Sequence, residues 1–184
     1  NAAHIESHVA ISRLEVSSGN SDLAKQQLAT LLESYPNTPQ IMLALARIHR
    51  LNREPQASID WLNKVISIDS TNIEAFNMLT QFYRENDELK KAEALLETTL
   101  KRSKSNEIRK LLADIYIEQR DFKQAIKQFT LYAEYAPKRG EALLLLANSY
   151  LLANNHDNAI ATVEKALIWD ENLIEARVML IKLL

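Results

Sequence analysis

A small residue recurs at a nearly constant interval along the chain, and this repeat restricts the possible folds more than any other feature. The interval is 34 residues three times and 33 residues once. Chains built from units of this length stack supersecondary units, each of which buries its apolar face only against its neighbours. The recurring residues are Ala24, Ser58, Ala92, Ala125 and Ala159.

A second set of small residues precedes the first by twelve positions in every unit. Its members are Ser12, Ala46, Thr80, Ala113 and Ala147. Antiparallel helices approach closely only where the side chains at their crossing are small. We therefore predict that each unit is a helical hairpin in which the two small residues meet. Aromatic or ring side chains follow the second set in four units, as His49, Tyr83, Tyr116 and Tyr150, whereas the first unit has Glu15 there.

The composition agrees with an all-α fold. Only two of the 184 residues are glycine, which is too few for the turns of most β or α/β proteins of this size. The absence of cysteine excludes disulfides, thiolate nucleophiles and cysteine metal sites. A net charge of -2 argues against a nucleic-acid partner. No apolar run is long enough to predict a membrane span.

The fourth unit carries the clearest motif of the chain. Its residues Leu112, Ala113, Tyr116, Ala125, Phe129 and Pro137 resemble the pattern of the tetratricopeptide repeat family. The resemblance covers about residues 5 to 173. It implies an all-α right-handed superhelix (solenoid) of five helical hairpins plus a C-terminal helix, with the first helix of each hairpin on the concave face.

The repeat register predicts the organisation of the chain. We expect a single array over residues 5–184, with repeats at about 5–38, 39–72, 73–105, 106–139 and 140–173 and a terminal helix at 174–184. Residues 1–3 are interpreted as a remnant of tag removal. The predicted helices are 4–18, 21–34, 39–52, 55–68, 73–86, 89–102, 106–119, 122–135, 140–153, 156–169 and 173–184.

Local signals add predictions for single residues. Thr71 with Glu74, and Asp121 with Gln124, have the spacing of capping boxes at helix N-termini. Trp169, like Trp61, lies in a predicted second helix, and we expect both to pack between hairpins.

The resemblance implies that the second, fifth, ninth and twelfth positions of each repeat face the concave groove. Arginines cluster there in the first three repeats, and acidic and then apolar residues follow. Arginine forks suit carboxylates and extended acidic peptides. The predicted partner-binding residues are Arg13, Arg47, Arg50, Asn77, Gln81, Arg84, Lys110, Asp114, Leu144, Asn148 and Leu151. The alternative interpretation is that these residues form ordinary solvated helix faces.

The leading hypothesis is a non-catalytic protein–protein interaction scaffold that binds a peptide or protein, with acidic and apolar segments, in this groove. We predict no catalytic residue, cofactor or metal site. Two glycines cannot build a phosphate loop, and His4 with His8 lacks a third ligand. The chaperone C-terminus is not an expected partner, because Lys110 faces Asp114 where the chaperone-binding relatives have a Lys/Asn pair.

Two alternatives remain open at this point. The chain could be a self-assembling structural repeat protein, a homo-oligomer built through its ends or convex face. It could also be the repeat module of a larger protein, such as a glycosyltransferase or a bacterial secretion or exopolysaccharide-export protein. Segments 24–32 and 141–150 are similar to tetratricopeptide-repeat lipoproteins of bacterial exosortase and exopolysaccharide systems. That similarity implies the cell envelope, whereas the composition leaves both the cytoplasm and the periplasm open.

Overall fold

The computed structural model describes residues 2–184, and this part of the chain is all-α. Every predicted helix is present, and each observed boundary lies within two residues of the predicted one. The helices are α1 (Ala2–Ser17), α2 (Ser21–Ser34), α3 (Pro39–Leu51), α4 (Pro55–Ile68), α5 (Ile73–Glu85), α6 (Leu89–Ser103), α7 (Asn106–Glu118), α8 (Phe122–Tyr135), α9 (Arg139–Leu152), α10 (His156–Trp169) and α11 (Ile174–Leu183).

The helices group into two compact units, Asn1–Phe82 and Tyr83–Leu184. The first unit holds α1 to α4 and most of α5, and the second holds the rest. None of the helices in residues 2–184 combines the length and apolar character that crossing a bilayer requires. The predicted repeat boundaries remain a prediction, and so does the tag remnant at residues 1–3, of which Asn1 lies outside the described residues.

The two sets of small residues are buried in every hairpin, as the sequence predicts. Within the second hairpin they touch, because the hydroxyl of Ser58 hydrogen-bonds to the backbone of Ala46. Large apolar side chains pack around the crossings. In the first unit the core includes Leu28, Ile41, Leu45 and Ile48. In the second unit it includes Phe129, Leu146, Val163 and Leu173.

The turn inside each hairpin has one residue in the left-handed conformation, always at the same register. The amide of the next residue donates to the carbonyl five positions earlier, for example Glu54 N to His49 O at 2.8 Å and Asp121 N to Tyr116 O at 2.9 Å. This is the Schellman ending of a helix, in which glycine is favoured. The left-handed residues are Gly19, Arg53, Asp87, Arg120 and Asn154.

The helix starts confirm one predicted cap and correct another. The amide of Gln124 donates to Asp121 Oδ1 at 3.1 Å, so Asp121 caps α8 as expected. The reciprocal half of the capping box is not formed, because the amide of Asp121 donates to Tyr116 O. The Thr71 cap is wrong: α5 begins at Ile73, and the side chain of Asn72 accepts from the amide of Ala75 at 3.1 Å. Thr71 lies one residue too early to be the N-cap of α5, and its hydroxyl donates to Asp69 Oδ1 at 3.0 Å.

The two tryptophans differ. Trp61 is half-buried against the core of the first unit, as predicted. Trp169 does not pack between hairpins, and 58% of it is exposed. It is the last residue of α10, and its ring contacts the guanidinium of Arg139.

Candidate functional site

In the first unit, α1 and α3 form the sides of two neighbouring pockets. The larger, which we call the α1–α3 pocket, has a volume of about 670 Å³. The smaller, which we call the Glu74 pocket, has a volume of about 220 Å³ and is also lined by α5. Arg13 of α1 and Arg47 of α3 line both pockets. The two arginines are therefore shared by the pockets.

The walls of the two pockets differ in chemistry. The α1–α3 pocket is mainly apolar apart from its arginines and two serines, because Val16, Ala44, Ile48 and Leu51 line it. The Glu74 pocket contains both charge signs. Its lining residues are Glu6, Val9, Ala10, Arg13, Gln40, Leu43, Arg47 and Glu74. All of these except Ala10 occupy the second, fifth or ninth position of a predicted repeat.

Arg47 is already engaged with a carboxylate. Its guanidinium forms an ion pair with Glu74 of α5, and its side chain is 35% exposed. Partial burial is the main cause that lowers the pKa of Arg47, and the positive charge of Arg13 lowers it further. A neighbouring cation disfavours the charged form of Arg47.

Arg13 has a different environment. It is exposed, and within residues 2–184 no carboxylate forms an ion pair with it. Glu74 thus balances one of the two guanidinium groups, and the other is open to an anion from outside the chain. Glu6 lines the same pocket and lowers the local positive charge without pairing.

The predicted cationic residues of the second unit are neutralised by neighbours. Arg84 Nε donates to Glu118 Oε1 at 2.7 Å. Lys110 Nζ donates to Asp114 Oδ2 at 3.1 Å. Exposed ion pairs of this kind contribute about 0–1 kcal/mol to stability. Because the two charges of each pair largely cancel, they attract a charged partner only weakly. The expected contrast between a basic and an acidic region is therefore weaker than the sequence suggests.

The predicted binding residues are divided between the two units. Arg13, Arg47, Arg50, Asn77 and Gln81 belong to the first unit, and Asn77 and Gln81 are exposed on α5. The second unit holds Arg84, Lys110, Asp114, Leu144, Asn148 and Leu151. Of the eleven, the pockets described above bring together Arg13 and Arg47. A single groove that uses all eleven residues remains a prediction.

The sequence analysis did not identify the acidic residues of the two pockets in the first unit, which we call the first-unit site. Glu6 and Glu74 line the pocket beside Arg13 and Arg47. Both are the second residue of a predicted repeat, a position that was already expected to face the groove. The sequence could therefore have identified them. The apolar side chains of Ile48 and Leu51 were also missed, because they lie outside the four expected positions.

Two of the ring side chains that follow the second set of small residues, His49 and Tyr116, make hydrogen bonds to carboxylates. The carboxylate of Glu54 lies in a hairpin turn, and that of Glu97 lies on α6. His49 Nδ1 contacts the carboxylate of Glu54, which also accepts from Lys25 Nζ at 3.3 Å. The bond from His49 is the main cause that lowers the pKa of Glu54. In the second unit, Tyr116 Oη donates to Glu97 Oε1 at 2.8 Å, and burial raises the pKa of Tyr116. Both contacts stabilise the fold within a unit.

Comparison with known proteins agrees with the repeat. A family model described as tetratricopeptide repeat matches residues 9–73 and 110–172, which together are more than half of the chain. A comparison with the curated proteins finds no match.

Several solved structures share the fold. MamA is 20% identical, with 95% of this chain and 96% of that chain covered and a TM-score of 0.63. TTC0263, a thermophilic repeat protein of Thermus thermophilus, is 16% identical over 97% of this chain and 98% of its own, with a TM-score of 0.61. YrrB, described as having an unusual peptide-binding site, is 16% identical over 92% and 88%, with a TM-score of 0.59. At these identities the likeness shows the fold alone.

Proposed function

Because the chain belongs to the tetratricopeptide repeat family, we propose that it is an interaction scaffold whose first unit binds a carboxylate-bearing peptide or protein segment. The segment lies across the α1–α3 pocket and the Glu74 pocket. The fold favours a protein-interaction role, and YrrB is an example of a peptide-binding protein with this fold. The proposal adds where the segment binds and which chemistry recognises it.

One observation carries the proposal: Arg13 lacks a carboxylate partner within residues 2–184, and it lines both pockets together with Arg47. A carboxylate of the partner would relieve the repulsion between the two guanidinium groups. Charge-assisted hydrogen bonds from arginine to carboxylate are among the stronger polar contacts. The apolar wall formed by Ile48 and Leu51 would accept a neighbouring apolar side chain of the same segment.

The experiment is a selection of random displayed peptides on the immobilised chain, followed by affinity measurements on the enriched sequences. We expect enrichment of Asp or Glu next to an apolar residue. Arg13→Glu should weaken the binding of such a peptide by about tenfold, which corresponds to about 1.4 kcal/mol. The matched control is Arg102→Glu, which makes the same change at an exposed position of α6. Equal affinities of the two variants, or enrichment without acidic residues, would refute the proposal.

A second copy of the chain is the alternative partner. Ile174, Val178 and Ile181 are exposed and lie on one stripe of α11. Exposed apolar patches often mark association surfaces. If this stripe drives self-association, light scattering should show a mass that rises with concentration, and Ile181→Lys should abolish the rise. A constant monomer mass would exclude this alternative. Membership of a larger secretion or export protein remains a prediction from sequence similarity.

A further inference from the structure

The second unit contains a cleft that the proposed function does not use. It has a volume of about 640 Å³ and lies between the ends of α8 and α10 and the start of α9. We call it the Tyr135–Trp169 cleft, after the two aromatic residues that line it. Its other lining residues include Glu134, Pro137, Arg139 and Asp170.

The two aromatic side chains are unusually open to solvent. Tyr135 is 74% exposed and Trp169 is 58% exposed. Each is the last residue of its helix, and the two are 34 positions apart, so they occupy equivalent places in successive hairpins. Tyrosine, tryptophan and arginine are the residues that most often dominate binding energy at interfaces. All three types meet in this cleft.

One contact within the chain restrains the indole ring before any ligand arrives. The Arg139 guanidinium carbon lies 4.5 Å from the centroid of the Trp169 ring, which is within the range of a cation–π contact. One face of the ring is therefore covered by arginine, while more than half of the side chain remains accessible. A ring that is already oriented loses little conformational entropy when a ligand stacks on it.

Both aromatic residues also present unused hydrogen-bond donors. Neither the Tyr135 hydroxyl nor the Trp169 indole N–H has an acceptor within residues 2–184. A matching ligand needs apolar rings that can stack on the Tyr135 and Trp169 side chains. It also needs acceptors for the tyrosine hydroxyl and the indole N–H. A polyproline II segment has both, because its prolines are apolar and its backbone carbonyls make no internal hydrogen bonds. Such segments dock in aromatic-lined grooves.

The charges that line the cleft favour a ligand with a positively charged residue beside its prolines. Lys138 is neutralised by Glu141 at 2.8 Å, and Arg139 is held on the tryptophan ring. Glu134 has no cationic partner within residues 2–184, and the one hydrogen bond to the side chain of Asp170 comes from the amide of Asn172 at 3.0 Å. Two carboxylates that line the cleft are thus available to a cation.

From these contacts we propose that the Tyr135–Trp169 cleft binds an extended proline-rich segment of a partner protein that carries a flanking lysine or arginine. The prolines stack on the two rings, their carbonyls accept from the two donors, and the cation lies against Glu134 and Asp170. The cleft lies in the other unit from Arg13, so this interaction is independent of the proposed function.

The test uses the fluorescence of Trp169 in a Trp61→Phe background, since the chain has two tryptophans. The ligand is a synthetic peptide with proline at every third position and lysine at both ends. We expect a saturable emission change, with a dissociation constant below about 1 mM. The same peptide with alanine for proline should bind at least about fivefold more weakly, and so should one with glutamate for lysine.

Variants show whether the response comes from the cleft. Tyr135→Ala should weaken binding at least about fivefold, and Glu134→Gln should weaken binding of the lysine peptide selectively. The control Ile168→Ala changes an exposed residue of α10 that does not line the cleft and should have no effect. Arg13→Glu should also have no effect, which separates this result from the first-unit site.

Three outcomes would overturn the proposal. The first is the absence of a saturable response to the proline peptide. The second is an equal response to the alanine peptide, which would show that the rings do not recognise proline. The third is an unchanged affinity in Tyr135→Ala, measured on protein whose circular dichroism matches the parent.

Discussion

The hydroxyl oxygen of Ser58 donates a 2.8 Å hydrogen bond to the backbone carbonyl oxygen of Ala46, and both residues are buried. Ser58 lies on α4 and Ala46 lies on α3, so the bond crosses the second hairpin. It shows why a small residue is needed at this position: a larger side chain would separate the two helices.

Substitution of Ser58 should therefore depend steeply on size. Ser58→Ala loses one hydrogen bond and should lower the free energy of unfolding by about 1 kcal/mol. Ser58→Leu overfills the crossing and should lower it by about 2–3 kcal/mol. Urea denaturation measures both. Ser67 is exposed on the same helix and provides the control, with Ser67→Leu expected to change stability by less than about 0.5 kcal/mol. Equal effects at the two positions would contradict a tight crossing.

The left-handed residues of the hairpin turns offer a stabilising change. Arg53 and Arg120 both have φ of 60°. A side chain in this region costs roughly 1–2 kcal/mol, whereas glycine adopts it freely but loses about 0.5–1 kcal/mol of unfolded-state entropy. Arg53→Gly should thus raise the free energy of unfolding by about 0.5–1 kcal/mol.

The reverse change at the equivalent position is the control. Gly19 has φ of 85°, and a Cβ added there would meet no non-neighbouring atom within 4 Å, so Gly19→Ala introduces strain without a clash. It should lower the free energy of unfolding by about 1 kcal/mol. A decrease in stability for Arg53→Gly as well would show that the arginine side chain makes a contribution larger than the backbone strain.

The ion pair between Arg47 and Glu74 predicts competition with a ligand. If a partner carboxylate binds at Arg13 and Arg47, Glu74 competes with it for Arg47. Glu74→Gln should then strengthen binding of an acidic peptide by about two- to fivefold, since an exposed pair contributes up to about 1 kcal/mol. Titration calorimetry measures the change, and Glu164→Gln on the exposed face of α10 is the control. Weaker binding in Glu74→Gln would mean that the partner contributes a cation to this pocket instead.

The lowered pKa of Glu54 predicts a dependence of stability on pH. The hydrogen bond from His49 is the main cause, and Lys25 adds to it. A carboxyl group with a lowered folded-state pKa stabilises the fold above its unfolded value near 4.5, and this stabilisation disappears as pH falls through the folded-state pKa. The parent should therefore be more stable than Glu54→Gln at pH 7, and the difference should shrink below pH 4.5.

Urea midpoints of both proteins at neutral pH and at several values below pH 4.5 test this. Glu33→Gln, at an exposed position of α2, should follow the parent throughout. A difference between the parent and Glu54→Gln that does not change with pH would show that charge at Glu54 is unimportant to the contact.

Much of the fold follows from the sequence because two helices can approach closely only where their side chains are small. The small residues mark where helices cross, so the helix positions around Ala46, Ser58 and their equivalents were predictable. The turn conformation of Arg53 and Arg120 was not, since arginine carries no preference for positive φ. Of the five turn residues, Gly19 carries that signal most clearly, and Asp87 and Asn154 carry it more weakly because Asp and Asn tolerate positive φ.

The candidate sites were less predictable than the helices. The column rule implied by the resemblance placed Arg13 and Arg47 on one surface, and the structure brings them together at two pockets. It did not indicate that Glu74 pairs with Arg47. The expectation for Trp169 failed because a position at the end of a helix can project beyond its neighbours even when the residue is large and apolar.

The sequence by itself determined that this protein is a series of helical hairpins of the tetratricopeptide type, because the spacing of small side chains specifies where helices can approach. Only the tertiary structure decided which charges remain unbalanced and which rings remain exposed. Those properties depend on contacts between residues far apart in the chain, as Arg47 with Glu74 and Arg139 with Trp169 show. The repeat therefore specifies the scaffold, and side-chain contacts between helices specify the surfaces available to a partner.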